Sequence, residues 1–165
     1  MCARETKFTG TGNVSHGKAP RFLVQPQNGK RLIQPPMPNL TIPTHRKREI
    51  LDITEQVAKH LPDASGICCL NVLHTTAALT TADLDPGTDL DMLDAFEAMM
   101  PKLRYRHPHN PEHVPDHILS SLIGTALTLP VESGSLVLGT WQRVVLIELD
   151  GPRKRELTLH LLKSA

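Results

Sequence analysis

The chain has 165 residues, 39% of them hydrophobic, which is enough for one globular domain with a largely aliphatic core. Eighteen basic and seventeen acidic residues give a net charge of +1, which is too small to indicate nucleic acid or a membrane surface as a partner. The longest apolar stretches have the length of strands, so we expect neither a membrane span nor a secretory signal.

The first 38 residues differ in composition from the rest of the chain. They are rich in proline and glycine and contain only brief apolar clusters, such as residues 22–24. Residues 1–44 hold six Lys or Arg and one acidic residue, whereas the remainder holds twelve basic and sixteen acidic residues. We therefore predict a flexible basic extension over residues 1–38 and a single domain over residues 39–165. For the extension, a solvated tail is favoured over a nucleic-acid-binding arm.

The domain is expected to begin with a strand and a helix. Residues 40–44 alternate between apolar and polar side chains, as in a strand or strand end. Asp52 or Thr54 can cap a following helix, because the side-chain oxygens of both residue types accept hydrogen bonds from the free amides of a first turn. Apolar residues then recur at helical spacing until Pro62.

The next predicted strand contains two of the three cysteines. Residues 66–73 form a β-branched and cysteine-containing run that predicts a buried strand, and residues 75–81 continue it as extended chain or a loop. Cys68 and Cys69 are neighbours, so their side chains point to opposite faces of the strand and are not expected to pair. Three thiols without metal-binding spacing indicate reduced cysteines and a cytoplasmic setting.

The second half of the domain predicts two helices and then only strands. An amphipathic helix is expected over residues 90–100, and a long polar loop leads to a second helix, which Asp116 caps and Gly124 ends. The predicted strands cover residues 126–131, 135–138, 142–149 and 156–161. Because strands and helices do not alternate regularly, we predict an α+β fold with mixed or antiparallel sheets packed as a sandwich and about three helices.

The acidic run from Asp83 to Glu97 contains no basic residue and partly matches the spacing of a calcium-binding loop. Thr88 stands where such a loop needs glycine, and Pro86 lies inside it, so the match fails. A solvated helix start is the better interpretation, because carboxylates are favourable at the amino end of a helix.

Two features near the carboxyl terminus have more than one interpretation. Trp141 lies in a β-rich stretch close to a glycine, which suggests a close approach of backbone or ligand, although a core position is favoured for its side chain. Residues 151–155 place three cations after a turn. That pattern is typical of an exposed basic turn, but arginine side chains also suit a phosphate or a carboxylate.

Three of the nine histidines carry the strongest chemical hypothesis. His74 closes an apolar run, His107 lies in a proline- and histidine-rich loop, and His117 opens a predicted helix. Three imidazole ligands around zinc leave a fourth position for water or substrate, as in catalytic sites. The residues alone leave two interpretations open: convergence on a metal, or a globular domain with many histidines. Surface or core positions are predicted for His16, His60, His109 and His113.

Six short segments stand in a distinctive order along the domain. They are His74–Leu79, Tyr105–His107, Asp116–Gly124, Leu129–Val131, Gly134–Gln142 and Asp150–Arg153. Together they closely resemble the YjbQ family, also called the secondary thiamine-phosphate synthase enzyme family. The resemblance covers about residues 40–162 and excludes the first 38 or so.

This resemblance implies a compact α+β domain that assembles as a homotrimer, with a histidine-lined metal pocket near the subunit contacts. It implies that His74, His107 and His117 hold a divalent metal, which is zinc by ligand type. Gln142 and Arg153 match the family's polar positions near that pocket. The implied reaction couples a pyrimidine diphosphate to a thiazole phosphate with loss of pyrophosphate, so the expected partner is a small phosphorylated substrate.

One departure from the family pattern bears on activity. Where the family usually has Asn-Glu, this chain has Ala82 and Asp83. Asp83 is a candidate proton acceptor on a shorter arm, and a misplacement of about 1 Å costs on the order of 100-fold in rate. We therefore hold two hypotheses: a metal-dependent enzyme of the YjbQ type that uses Asp83, Gln142 and Arg153, or a non-catalytic trimeric module that binds metal or a small ligand.

Overall fold

A computed structural model describes residues 39–107 and 110–164, which form eight strands and three α-helices. The strands are β1 (Asn39–Pro43), β2 (Glu49–Asp52), β3 (Gly66–Val72), β4 (Ala77–Ala82), β5 (Ala126–Glu132), β6 (Ser135–Leu136), β7 (Arg143–Glu148) and β8 (Lys154–Lys163). The helices are α1 (Thr54–Ala58), α2 (Thr88–Met99) and α3 (Val114–Ile123), with a 3-10 helix at Pro111–His113. The predicted α+β class is confirmed. The extension predicted over residues 1–38 lies outside the described residues and stays a prediction.

The strands form two antiparallel sheets that enclose the main core. One sheet has the order β1-β8-β3-β5-β6, and the other has the order β2-β7-β4. Burial alternates along β3, where Leu70 is buried and Ile67 is exposed, because successive side chains point to opposite faces. Leu70 packs with Leu159 from its own sheet and with Leu146 from the other sheet, in one apolar cluster.

Strand β7 is buried on both faces, and this makes the fold three layers deep. Leu146 faces the five-stranded sheet, whereas Ile147 belongs to a second apolar cluster. That cluster also contains Leu119 from α3 and Phe96 from α2, so the two longer helices cover the outer face of the small sheet. A strand covered on both sides is expected to be a nearly continuous apolar run, as residues 144–147 are.

Helix α3 begins earlier than the sequence predicts, and Asp116 is not its cap. The helix starts at Val114, with a proline in its first turn, where a missing amide proton costs nothing. Asp116 is buried inside the helix, and Arg48 Nη2 donates to its Oδ1 at 2.7 Å. Asp116 therefore forms a long-range ion pair with Arg48 and does not cap the helix.

Two shorter elements also differ from the predictions. Helix α1 ends at Ala58 instead of continuing towards Pro62, and Asp52 Oδ1 accepts from the amide of Thr54 at 2.9 Å just before it. Strand β2 was not predicted, since its sequence has no clear apolar alternation, and it is held by pairing with β7.

The single tryptophan and the cysteines give one correction and one confirmation. Trp141 is 68% exposed, so the favoured core position was wrong. Cys68 is buried and Cys69 is half-buried, and both are free thiols. Burial raises the pKa of the Cys68 thiol to about 11, as expected for an inert core cysteine. Within residues 39–107 and 110–164, no helix has the length and apolar character needed to cross a membrane.

Candidate functional site

A cavity of about 560 Å³ opens where the chain leaves β3, beside the start of α3 and the turn between β7 and β8. It is lined by residues 74–76, by His113 and His117, and by Asp150 with residues 153–155. The structure therefore brings His74, His117 and Arg153 to one place, although they lie far apart in the sequence.

His74 enters the cavity as a neutral ring. Its Nε2 accepts a hydrogen bond from the backbone amide of Glu156 at 2.9 Å, so the proton of the ring lies on Nδ1. Burial lowers the pKa of His74, and the positive charge of Arg155 lowers it further, while the carboxylate of Glu156 partly opposes this shift. The neutral form of this imidazole is therefore favoured.

His117 and His107 form a stacked pair beside the cavity. Their ring centroids are 5.8 Å apart and their planes differ by 23°. His117 Nδ1 lies 2.9 Å from the carbonyl oxygen of Thr75, and a carbonyl only accepts, so Nδ1 donates and Nε2 presents a lone pair. The amide of Asn110 donates to His107 Nδ1 at 3.3 Å, which places the proton of a neutral His107 ring on Nε2.

As they stand, the three histidines do not form a metal-binding set. Among the described residues, no group of three or more His, Cys, Asp or Glu side chains is placed to hold a metal ion. The hydrogen bonds show part of the reason: His74 and His107 each accept through one nitrogen, so only His117 presents a lone pair in the manner of a metal ligand. The three-histidine centre stays a prediction.

A buried ion pair lies beneath the cavity. Glu148 is 0% exposed and Arg155 is 1% exposed. Arg155 Nε donates to Glu148 Oε2 at 2.7 Å, and Arg155 Nη2 donates to the other carboxylate oxygen. Arg155 Nη2 also lies 3.0 Å from Thr76 Oγ1 and 3.2 Å from the Thr76 carbonyl oxygen. This pair joins strands β7 and β8 to the loop that carries His74.

A second arginine–carboxylate pair lies at the rim. Arg153 donates through Nε to the Asp150 carbonyl oxygen at 2.6 Å and through Nη2 to Asp150 Oδ2 at 2.5 Å. Asp150 Oδ1 lies 3.7 Å from His113 Nε2. The turn depends on Gly151, because a Cβ atom there would collide with the carbonyl of Arg46.

Two residues that line the cavity, and one buried residue beside it, were not predicted from the sequence as site residues. The sequence predicts a surface or core position for His113, and it assigns no role at the site to Asp150, yet both line the cavity. Asp150 lies in the segment that ends at Arg153, so the resemblance was a signal that could have found it. Glu148 gave no such signal, because it ends an apolar strand.

Asp83 and Gln142 lie at the opposite end of the small sheet. Along the β4–β7 ladder, Ala77 pairs with Glu148 beside the cavity, whereas Ala82 pairs with Arg143 at the far end. Five residues of extended chain separate the two ends by about 17 Å. Within one chain, neither Asp83 nor Gln142 lines the cavity.

The polar contacts of this far end are local. Gln142 Oε1 accepts from the amide of Gly139 at 2.8 Å, and Gln142 Nε2 donates to Thr81 Oγ1 at 3.3 Å. Asp83 Oδ1 accepts from the amide of Asp85 at 3.2 Å. These side chains hold their own turns together in this chain. Their predicted role at the site stays a prediction.

Proteins of one family resemble this chain along most of its length. The family model described as "UPF0047 protein YjbQ-like" matches residues 38–164. A UPF0047 protein from Archaeoglobus fulgidus is 36% identical over 124 residues, which cover 74% of this chain and 98% of the relative. The UPF0047 protein YjbQ from Salmonella typhimurium is 39% identical over 114 residues, which cover 66% of this chain and 83% of the relative.

Solved structures agree with this relationship. A conserved hypothetical protein from Thermus thermophilus has a TM-score of 0.69 at 37% identity, with 75% of this chain and 98% of that chain covered. A YbjQ-like protein of unknown function from Sulfolobus solfataricus has a TM-score of 0.67 at 33% identity, with coverages of 76% and 95%. The names of these relatives assign no activity. The family model and these relatives, together with the shared fold, show that the chain belongs to the YjbQ/UPF0047 family.

Proposed function

We propose that the cavity binds a small phosphorylated compound and that the protein is an enzyme acting on it. The observation that carries this proposal is the convergence of three consecutive cations, residues 153–155, with His74, His113 and His117 on one cavity. Lys154 forms no ion pair with any described residue, so its charge is available to an anion. Arginine supplies the planar donor geometry that suits a phosphoryl group.

The histidines add groups for moving protons. His117 Nε2 can accept a proton, and His74 Nδ1–H can donate a hydrogen bond, because the other nitrogen of each ring is already engaged by the backbone. A proton acceptor and a donor beside a cationic cavity are what general acid–base chemistry on a phosphorylated substrate needs. The backbone contacts fix both ring orientations before any substrate binds.

Within this proposal, the specific reaction is formation of thiamine phosphate. The thiazole nitrogen attacks the methylene carbon of the pyrimidine diphosphate, an N–C bond forms, and the C–O bond to pyrophosphate breaks. Arg153 and Arg155 would stabilise the charge that develops on the leaving pyrophosphate. The cationic character of the cavity supports this assignment, and the resemblance to the secondary thiamine-phosphate synthase family supplies the substrates.

A direct assay tests the reaction. Purified protein, with and without added zinc, is incubated with both precursors, and thiamine phosphate is measured by its fluorescent oxidation product. We expect product from the wild type and a rate from Arg153→Ala that is lower by about tenfold or more, since a charge-assisted contact to the leaving group is lost. Absence of product under every metal condition would exclude the named reaction.

A divalent metal held by His74, His107 and His117 is a second part of the proposal. In this structure the three rings lack the required arrangement, so a metal-bound state needs the rings of His74 and His107 to turn and present lone pairs. The imidazole donor set favours zinc. Elemental analysis compares the wild type with the His107→Ala/His117→Ala variant, and equal metal content in the two would remove this part.

The alternative is a non-catalytic module that binds a small anion or a metal, in a homotrimer. The position of Asp83 favours it, because the candidate proton acceptor is exposed and lies far from the cavity of its own chain. This alternative predicts binding of pyrophosphate without turnover. Calorimetric binding together with the activity assay separates the two functions.

A further inference from the structure

The carboxylate of Glu148 is fully occupied by hydrogen-bond donors. Its Oε2 accepts from Thr44 Oγ1 at 2.9 Å and from Arg155 Nε at 2.7 Å. Its Oε1 accepts from the backbone amide of Asp150 at 2.8 Å and from Arg155 Nη2. Four donors occupy the positions at which this buried carboxylate could accept a hydrogen bond from a substrate. Glu148 is therefore suited to holding other groups in place.

Arg155 is held by two of its three guanidinium nitrogens. Nε and Nη2 donate to Glu148 and Thr76, whereas Nη1 makes no hydrogen bond with any described residue. Within the described part of the chain, Arg48 Nε is the fully buried side-chain nitrogen that lacks a partner, so Arg155 Nη1 retains a trace of accessible surface in a side chain that is 2% exposed. Arg155 lines the cavity, so we infer that this small accessible surface faces it.

We propose that Arg155 Nη1 is the anchor for a phosphoryl group at the floor of the cavity and that Glu148 is the residue that positions it. This inference rests on the proposed function and goes further, because it names the atom that meets the phosphoryl oxygen and the residue that orients that atom. A guanidinium fixed in a buried place interacts strongly with an anion and needs no reorientation when the anion binds.

The comparison with Arg153 supports this division of roles. The Arg153 side chain is 51% exposed, and Asp150 already engages two of its nitrogens. An anion that binds Arg153 competes with Asp150 and with water, so Arg153 contributes at the rim. Arg155 contributes the fixed contact, because its counter-charge, Glu148, is fully buried and does not line the cavity.

Paired variants separate positioning from stability. Breaking a buried ion pair from one side destabilises a protein, whereas replacing both partners by apolar residues is often neutral or stabilising. We therefore compare Glu148→Gln, Arg155→Met and the double variant Glu148→Leu/Arg155→Met in urea unfolding and in calorimetric binding of pyrophosphate and of inorganic phosphate. Arg143→Met is the matched control, since Arg143 also faces a carboxylate, Asp52, but at the far end of β7.

We expect the double variant to recover the stability that Arg155→Met loses, yet to bind pyrophosphate on the order of 10- to 100-fold more weakly than the wild type. Arg143→Met should bind as the wild type does. A folded double variant with wild-type affinity would overturn the inference while leaving the proposed anion site intact. A wild type that binds neither phosphate nor pyrophosphate would contradict the proposed function and this inference together.

Two further measurements keep the test decisive if the double variant does not fold. Arg155→Lys keeps the positive charge but loses the planar guanidinium. Only the guanidinium can contact Glu148 and Thr76 and still present a third nitrogen to the cavity. We expect its affinity for pyrophosphate to fall about as far as that of Arg155→Met, and wild-type affinity would show that charge alone suffices. In the wild type, the side-chain N–H resonances of Arg155 should shift on titration with pyrophosphate, and an unchanged spectrum at saturation would refute the contact.

Discussion

The polar groups at the two ends of strand β7 differ in burial and in the number of their hydrogen bonds. At the cavity end, Glu148 and Arg155 are buried and each has several hydrogen-bond partners. At the far end, Arg143 lies 3.8 Å from Asp52 in an exposed pair, and Gln142 contacts its own turn and one threonine. Burial makes the first network costly to disturb and fixes its geometry, whereas water screens the second. The cavity end is therefore the part of the small sheet with a fixed, buried charge network, and it is where we propose that a charged ligand binds.

The largest expected effect is on the stability of the cavity end. Glu148→Ala leaves the guanidinium of Arg155 buried without its counter-charge, and we expect the free energy of unfolding to fall by about 3–5 kcal/mol. Urea denaturation followed by circular dichroism measures it. Asp52→Asn removes the exposed charge at the far end but keeps the oxygen that accepts from the Thr54 amide, and it should cost less than about 1 kcal/mol. Equal losses in the two variants would show that the ends do not differ.

The fold was predictable wherever local pattern and tertiary structure agree. The apolar content of residues 66–73 and 142–149 predicts strands, and the structure places β3 and β7 at the centre of their sheets. Only β7 is buried on both faces, since Ile67 of β3 is exposed. Strand β2 was missed because its residues have no strong strand pattern, and pairing with β7 determines its conformation. The start of α3 was misplaced because the contact between Asp116 and Arg48 spans 68 residues.

The candidate site was predictable only in part, because contacts between residues distant in the sequence also determine it. His74, His117 and Arg153 belong to residue types and motifs that indicate chemistry, and they do reach one cavity. The buried position of Glu148 could not be predicted, because it ends an apolar strand and its contact with Thr44, 104 residues away, forms only in the folded chain. The orientation of the His74 ring also depends on a distant residue. The backbone amide of Glu156 donates to Nε2, which leaves Nδ1–H for the cavity.

The next effect concerns the attachment of α3, which carries His117. Asp116→Ala removes the buried partner of Arg48, whose Nε already lacks a hydrogen bond among the described residues. We expect a loss of about 1–3 kcal/mol in unfolding free energy, because Arg48, whose side chain is 27% exposed, loses its shorter ion pair and keeps only the longer contact to Glu97. Glu97→Ala, which removes the weaker and exposed contact of the same arginine at 3.5 Å, should stay within about 0.5 kcal/mol. The same urea titration compares them, and a larger loss in Glu97→Ala would contradict this ranking.

A smaller effect is expected at the rim. Arg153→Ala removes a partly exposed cation, and we expect the affinity for pyrophosphate to fall about tenfold with little change in stability. Isothermal titration calorimetry measures it at constant ionic strength, since screening alters such contacts. Lys59→Ala, which removes a surface cation from the end of α1, controls for net charge. A comparable loss of affinity in that control would mean that binding follows overall charge and not the cavity.

The smallest effect is expected for Asp83→Asn and Gln142→Ala. Each should change the affinity for pyrophosphate less than about twofold, as is usual for a surface substitution away from a site. The reason is distance, because these residues lie about 17 Å along the sheet from Glu148 in the same chain.

Turnover is a sharper test than affinity of whether Asp83 acts at the cavity. If a neighbouring copy in the proposed homotrimer brings its Asp83 to the cavity, then both Asp83→Asn and Arg153→Ala lower turnover. Mixed assemblies of the two variants then regain part of the activity, since some cavities receive an intact residue from each copy. Activity that stays at the level of the separate variants after mixing would confine the site to one chain and leave the far end of β7 with a structural role.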